Sequence, residues 1–323
     1  MAKVLITTVP FGDKNSLPME LLKNSGIEYM INPLNKKLTE DELAEMITDF
    51  DAIIAGTEKI TTKVMDCASN LKMISRVGIG LDSVDLYAAR KRGIHVSYTP
   101  DAPAKAVSDL TIGLMLNLLR QTHISNSRMH QGEWERFFGR RLGEVTVGLI
   151  GMGRIGIGIL GRLQGFGCPR ILVNDIEQKR YLETAFNFEW ATKEEIYREA
   201  DVISLHVPLT KKTKGMIKKQ ELELMKPDSI LINTARGGII DENDLYQVMK
   251  NDHLSGAAID VFEHEPYNGA LTEIERCHLT AHMGSMSIDC RTRMEIEATQ
   301  EVVRFIKGQP LKGIVPENEY EAQ

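Results

Sequence analysis

Arg236 follows the apolar run SILINTA, Glu265 follows GAAIDVF within the loop FEHEP, and His282 closes HLTAH. Each run reads as a buried strand. Three ionisable side chains therefore stand just past strand ends, where an open α/β sheet gathers its ligands. A histidine exchanges a proton near neutral pH, and a neighbouring glutamate steadies the imidazolium and fixes the ring. An arginine offers a planar fork to a carboxylate and a charge that polarises a nearby carbonyl. The glycines after it, Gly237 and Gly238, let the chain turn sharply while the side chain stays pinned. With a nicotinamide alongside, the set suits hydride transfer between a 2-hydroxy acid and a 2-keto acid. Plainer readings stand beside this one: the chain has eight histidines, Glu263 and His264 adjoin Glu265, and Arg236 would serve as an ordinary loop charge.

A second pattern supplies the nicotinamide. VTVGLIGMGRIG ends a strand with Gly151, Gly153 and Gly156 in a G-x-G-x-x-G turn and runs on into a helix. The first glycine permits the turn, the second lets backbone approach a pyrophosphate, and the third lets helix and strand pack closely. The next strand, ILVND, brings in Asp175 about 20 residues on, where an acid accepts hydrogen bonds from an adenosine ribose. A carboxylate there repels a ribose 2′-phosphate, which favours NAD over NADP. Lys179 and Arg180, a few residues further on, pull the other way.

The elements that must position these residues alternate along the whole chain. Strands at 4–8, 27–31, 51–56, 71–78 and 93–98 are spaced by helices, among them 17–24 and 40–48. YTPDAP, with two prolines, interrupts the rhythm as a hinge. A long apolar helix at 104–120 then opens a second series, with strands at 145–151, 171–175, 201–208, 229–235, 256–262 and 278–282. Both halves read as doubly wound parallel sheets of the α/β class. A helix near 290–307 follows, and the acidic tail VPENEYEAQ is expected to fray.

Bulk properties agree. A chain of 323 residues divides into about two domains. Its composition, 42% hydrophobic and 26% charged, is globular, and no segment approaches the roughly 18 uninterrupted apolar residues of a membrane span. The start, MAKVLITTVPFG, has no signal-peptide layout, so a cytoplasmic protein is expected. A net charge of -6 with intermixed signs offers no footprint for nucleic acid or an anionic membrane. Cys67, Cys168, Cys277 and Cys290 lack metal-ligand spacing, so no metal is expected and all four read as reduced structural thiols.

The runs VGLIGMGRIG, ADVISLHVPLTKKTKGMI, MKPDSILINTARGGIIDENDLYQVM, GAAIDVFEHEP and HLTAHMGS together resemble the D-isomer-specific 2-hydroxyacid dehydrogenases over nearly the whole chain. The resemblance implies a Rossmann NAD-binding domain at 99–289 and a flavodoxin-like substrate domain made of 1–98 and 290–323. It implies Arg236 as the substrate-orienting arginine, Glu265 as the acid supporting the histidine, and His282 as the general acid/base at the C2 oxygen. The cofactor would be held by Gly151, Gly153, Arg154, Ile155 and Gly156 at the pyrophosphate and by Asp175 at the ribose. His206, Pro208, Thr213, Thr234, Ala235, Arg236, Asp260, His282 and Gly284 complete the implied NAD site. In VGIGLDSVD, the backbone N–H groups of Ile79 and Gly80 would bind the substrate carboxylate. A homodimer is implied, with 104–140 as the arm that packs on a neighbour.

At finer grain, SRVGIGLDSVD and GEWER resemble 3-phosphoglycerate dehydrogenases, in which Arg76 and Arg136 match basic residues near the phosphate, the latter from the second subunit. This makes 3-phosphoglycerate the expected substrate. Against it, Ala55 stands where those enzymes commonly carry another arginine, and YTPDAP resembles glyoxylate/hydroxypyruvate reductases, while Pro103 falls where many members place an asparagine or leucine facing the substrate. Regulation through an appended C-terminal domain is not expected. A reading of another class is an NAD-sensing scaffold or corepressor with the same fold, and a third keeps the enzyme but oxidises phosphite.

Overall fold

The computed structural model describes residues 2–167 and 170–321, so Cys168 lies outside the described residues. The chain divides into two compact units, Met1–Pro103 with Ser285–Gln323, and Ala104–Gly284.

The discontinuous unit opens with β1 (Lys3–Ile6), α1 (Leu17–Asn24), β2 (Glu28–Ile31), α2 (Glu40–Met46) and β3 (Ala52–Ala55). It continues through α3 (Thr62–Cys67), β4 (Met73–Arg76), α4 (Leu86–Lys91) and β5 (His95–Ser97). The five strands pair with one another in parallel, in the order β2-β1-β3-β4-β5. This is the flavodoxin-like order, whose direction reverses between β1 and β3. β3 and β4 are buried at every position, as strands covered on both faces must be.

Next come α5 (Ala102–Arg120) and α6 (Thr122–His130), then β6 (Val147–Ile150), α7 (Arg154–Leu163), β7 (Ile171–Asn174), β8 (Glu189–Trp190), α8 (Lys193–Glu199) and β9 (Val202–Leu205). The continuous unit ends with α9 (Lys219–Leu224), β10 (Ile230–Asn233), α10 (Glu242–Lys250), β11 (Gly256–Ile259) and β12 (Cys277–Leu279). Its seven strands run parallel in the order β12-β11-β10-β9-β6-β7-β8, reversing between β6 and β9. One apolar core joins α5 and α7 to one face, through Met115, Leu118, Ile159 and Leu163. A second fills the opposite face with Ile196, Leu222, Leu245 and Met249 from α8, α9 and α10. β8 has two residues at the sheet edge and no apolar alternation, so the sequence did not mark it.

The remaining helices, α11 (Ile288–Ile306) and α12 (Glu317–Glu321), return to the discontinuous unit. α11 buries Met294, Ala298 and Val302, and Ser75 on β4 donates to the Ala298 carbonyl at 2.8 Å. The expectation of a frayed tail is corrected: Val315 and Tyr320 are buried, and Glu317 pairs with both outer nitrogens of Arg90. Arg90 also lies 3.5 Å above the Tyr320 ring centroid, and Tyr87 meets that ring edge-on. The acidic composition of the tail hid one aromatic anchor, and an anchor of that kind decides docking.

Cys67, Cys277 and Cys290 are free thiols; burial pushes Cys277 up to about 12 and Cys290 up to about 11. Among the described residues, no helix is long and apolar enough to cross a membrane.

Candidate active site

β10, β11 and β12 are neighbours in the sheet, so the residues that follow them meet at one edge. Arg236 comes three residues after β10. Asn233 caps the turn between them, accepting from Ala235 N–H at 3.0 Å and donating to the Arg236 carbonyl at 2.8 Å. Arg236 Nη1 donates to the Ala235 carbonyl at 2.6 Å, which folds the guanidinium back along its own turn. At Gly237 a Cβ would sit 2.0 Å from both the carbonyl carbon and oxygen of Phe262, so the turn after β10 presses on the turn after β11. Phe262 N–H in turn donates to Glu265 Oε1 at 3.2 Å.

His282 Nδ1–H points at the Glu265 carboxylate, 3.1 Å from Oε1 and 3.0 Å from Oε2. That leaves Nε2 as the nitrogen available for proton exchange. The His282 backbone takes φ +52°, a conformation that non-glycine residues seldom adopt, and its N–H donates to the Asp260 carbonyl at 2.8 Å. Asp260 is the hub of this turn. It is 1% exposed and accepts from Thr280 Oγ1 at 2.6 Å, Met283 N–H at 2.7 Å and Gly284 N–H at 2.9 Å. Burial raises its carboxyl above the ordinary aspartate range, opposed by these three donors. Of the neighbours that competed with Glu265 in the sequence, Glu263 accepts no bond from His282 and instead lies 3.8 Å from Lys214.

The glycine-rich turn lies at the β6/β9 reversal, where doubly wound sheets bind ligands. A Cβ at Gly156 would fall 2.1 Å from the Gly151 carbonyl oxygen, so α7 packs on the turn only because position 156 is glycine. Nothing stands within 4 Å of a Cβ at Gly153, so the face where a pyrophosphate would meet the turn and the N-terminus of α7, with Arg154 and Ile155, is clear. Asp175, just past β7, accepts from Met152 N–H at 2.5 Å and Glu177 N–H at 3.2 Å, which fixes its carboxylate beside the turn. Lys179 is tied to the Met152 carbonyl at 2.6 Å and lies 3.8 Å from Asp175. Its charge is thus partly spent on protein groups.

His206 faces this turn from the end of β9. Its Nδ1 and Nε2 are both buried with no hydrogen-bond partner among the described residues, and burial pushes it down to about 3. A neutral imidazole with two unmade hydrogen bonds is what a polar ligand would complete. The loop beyond is closed by Thr213, whose hydroxyl donates to the Pro208 carbonyl at 2.6 Å. Thr234 is buried against Thr111 of α5, with 2.9 Å between the hydroxyls, and Ala235 is buried beside it. Clear backbone, a fixed ribose-side carboxylate and an orphaned imidazole together fit NAD.

In the discontinuous unit, Arg76 is 5% exposed, with Nη1 donating to the Val77 carbonyl at 2.7 Å and the Ala55 carbonyl at 3.4 Å. Ile79 and Gly80 follow it, half-buried. Arg136 is exposed, in the segment after α6. Sequence reasoning missed Glu58, which is 2% exposed at the β1/β3 reversal. Its Oε1 accepts from the Thr7 hydroxyl and from Gly56 N–H, the latter at 2.9 Å. The signal available was a carboxylate two residues after the buried run AIIAG.

Comparison with known proteins agrees with this geometry. Residues 112–284 match the model of the D-isomer specific 2-hydroxyacid dehydrogenase, NAD binding domain. Glyoxylate reductase of Thermofilum pendens is 38% identical over 281 residues, covering 84% of this chain and 83% of that one. D-3-phosphoglycerate dehydrogenase of Methanocaldococcus jannaschii is 36% identical over 283 residues, 86% of this chain and 54% of that one. Among solved structures, D-lactate dehydrogenase from Aquifex aeolicus, complexed with NAD and lactic acid, superposes with a TM-score of 0.83 at 28% identity, covering 94% and 96% of the two chains. The chain belongs to the D-isomer specific 2-hydroxyacid dehydrogenase family. It is an NAD-dependent oxidoreductase that acts on the CH–OH group of 2-hydroxy acids.

Proposed function

We propose that this enzyme reduces a small, unphosphorylated 2-keto acid, glyoxylate or hydroxypyruvate, in the cytoplasm. The observation that carries the substrate choice is Glu58, whose buried carboxylate fills the β1/β3 reversal of the discontinuous unit. Ala55 removes one cation from that sheet edge, and Arg76 is engaged on two backbone carbonyls. A phosphate brought there would meet a carboxyl already bonded to Thr7 and Gly56 instead of a cation. The similarity to glyoxylate reductase supports the same reading.

NADH, when bound, supplies the hydride that C2 of the keto acid receives. His282 Nε2 gives its proton to the C2 oxygen, so the carbonyl becomes a hydroxyl. Glu265 holds the ring through Nδ1 and balances the charge of the imidazolium. Arg236 binds the keto acid and polarises the carbonyl. The discontinuous unit serves as the substrate domain, with Ile79 and Gly80 N–H groups donating to the carboxylate. Initial rates with glyoxylate, hydroxypyruvate, 3-phosphohydroxypyruvate and bulky keto acids test the reading. Comparable rates for the two small acids, with the phosphorylated one slower, are expected.

A second reading, 3-phosphoglycerate, is favoured by the similarity to the Methanocaldococcus jannaschii enzyme. It predicts that 3-phosphohydroxypyruvate wins by orders of magnitude, through Arg76 and Arg136. The homodimer belongs to the proposal as well: in the arm 104–140, Trp134 is 81% and Phe138 102% exposed. Apolar rings left in water at that level suit burial against a second copy. Light scattering that returned the mass of a single chain would count against it.

A further inference from the structure

The loop after β4 is held from two sides. On one side Arg76 Nη1 donates to the Val77 carbonyl at 2.7 Å, while Val77 N–H donates to the Ala55 carbonyl at 2.9 Å. On the other side Thr99 closes a reciprocal pair: Gly78 N–H donates to Thr99 Oγ1 at 2.8 Å, and Thr99 N–H donates to the Gly78 carbonyl at 3.1 Å. Between these grips Gly78 takes φ +143°, and a Cβ there would stand 3.2 Å from Arg76 Nη1. Thr99 is itself anchored. Tyr98 N–H donates to the Gly313 carbonyl at 3.0 Å, and Gly313 N–H donates to Glu301 of α11 at 2.9 Å. Both gripping residues are buried, Thr99 at 2% and Arg76 at 5%.

The N–H groups of Val77 and Gly78 are thus committed to protein acceptors, whereas those of Ile79 and Gly80 donate to none among the described residues. Two successive N–H groups left to a ligand form a small anion-binding concavity, and its aim depends on the peptide planes just before it. We propose that Thr99 and Arg76 are positioning residues that set this concavity for the substrate carboxylate, with Arg76 acting through the loop and not on a phosphate. The inference rests on the reading of Ile79 and Gly80 as carboxylate donors.

The test is steady-state kinetics with glyoxylate and with its methyl ester, which keeps the carbonyl but lacks the carboxylate. Thr99→Val keeps the side-chain shape and removes the acceptor for Gly78 N–H. It should raise KM for glyoxylate about tenfold, the scale of one buried hydrogen bond left unmade, with kcat and KM for NADH nearly unchanged. Thr99→Ser should restore the wild-type KM. Arg76→Met, which leaves the Thr99 grip intact, reads the other side independently and should raise KM for phosphorylated and unphosphorylated keto acids by the same factor. The ester should be insensitive to all three changes. A wild-type KM for glyoxylate in both Thr99→Val and Arg76→Met would overturn the two-sided grip. An equal rise for acid and ester would leave the grip standing and overturn the carboxylate reading. A loss confined to 3-phosphohydroxypyruvate in Arg76→Met would return that arginine to a phosphate.

Discussion

His282 Nδ1 lies 3.1 and 3.0 Å from the two oxygens of Glu265, and Glu265 Oε1 also accepts from Phe262 N–H. The carboxylate therefore has two tasks, to orient the imidazole and to brace the loop that carries it. His282→Gln should lower kcat for keto-acid reduction by about a hundredfold to ten-thousandfold, the usual worth of a general acid, with NADH affinity kept. Glu265→Gln retains the shape and the brace but loses the charge, so kcat should fall by a smaller factor. Stopped-flow reduction together with NADH fluorescence titration checks both; full turnover in His282→Gln would sink the assignment.

Arg236 is held by a short turn, and Gly237 makes the crossing over Phe262 possible. Arg236→Lys keeps the charge but loses the planar fork, so kcat/KM should drop by at least about tenfold. Gly237→Ala forces a methyl onto the Phe262 carbonyl and should cost about 1–3 kcal/mol of stability as well as activity. Thermal melts separate the two cases, since only the glycine change should lower Tm strongly.

Asp175 is fixed by Met152 N–H at 2.5 Å beside the glycine-rich turn, and the ribose role proposed for it is testable. Asp175→Ser should raise KM for NADH and narrow the NADH-over-NADPH preference by about tenfold or more. Ratios of kcat/KM for the two cofactors measure this; an unchanged ratio would remove Asp175 from the ribose site.

His206 bears on pH-dependent stability. Burial pushes it from the ordinary 6.5 to about 3 in the folded chain, so between those values the unfolded chain binds a proton that the folded one does not. The stability this neutral ring contributes is therefore present above the unfolded value and is lost as pH falls from there toward the folded one. Its slope is at most about 1.4 kcal/mol per pH unit. His206→Asn should flatten the fall in Tm of the cofactor-free enzyme between about pH 7 and pH 4. Identical slopes in wild type and variant would show that His206 does not titrate this way.

The residues legible in the sequence were those whose roles are local. Gly151, Gly153 and Gly156 lie in one turn, and Arg236 follows its strand by three residues. Glu58, Thr7 and Gly56 were not legible, because a carboxylate becomes a buried acceptor only once β1 and β3 lie side by side. Thr99 and Gly78 likewise meet across β4 and β5. The tail was misread for a related reason, since Tyr320 gains its value only when Arg90 and Tyr87 from α4 pack against its ring.

Alternating apolar runs and helical stretches, the glycine turn and the three strand-end side chains were determined by the sequence alone, because each depends on periodicity or on neighbours a few residues away. Strand order, the choice of Glu265 over Glu263 as the partner of His282, and the orphaned state of His206 were decided only in the tertiary structure. Those depend on which strands pack together and how their following turns cross, and no local pattern encodes the distance between residues that meet only when the sheet is assembled.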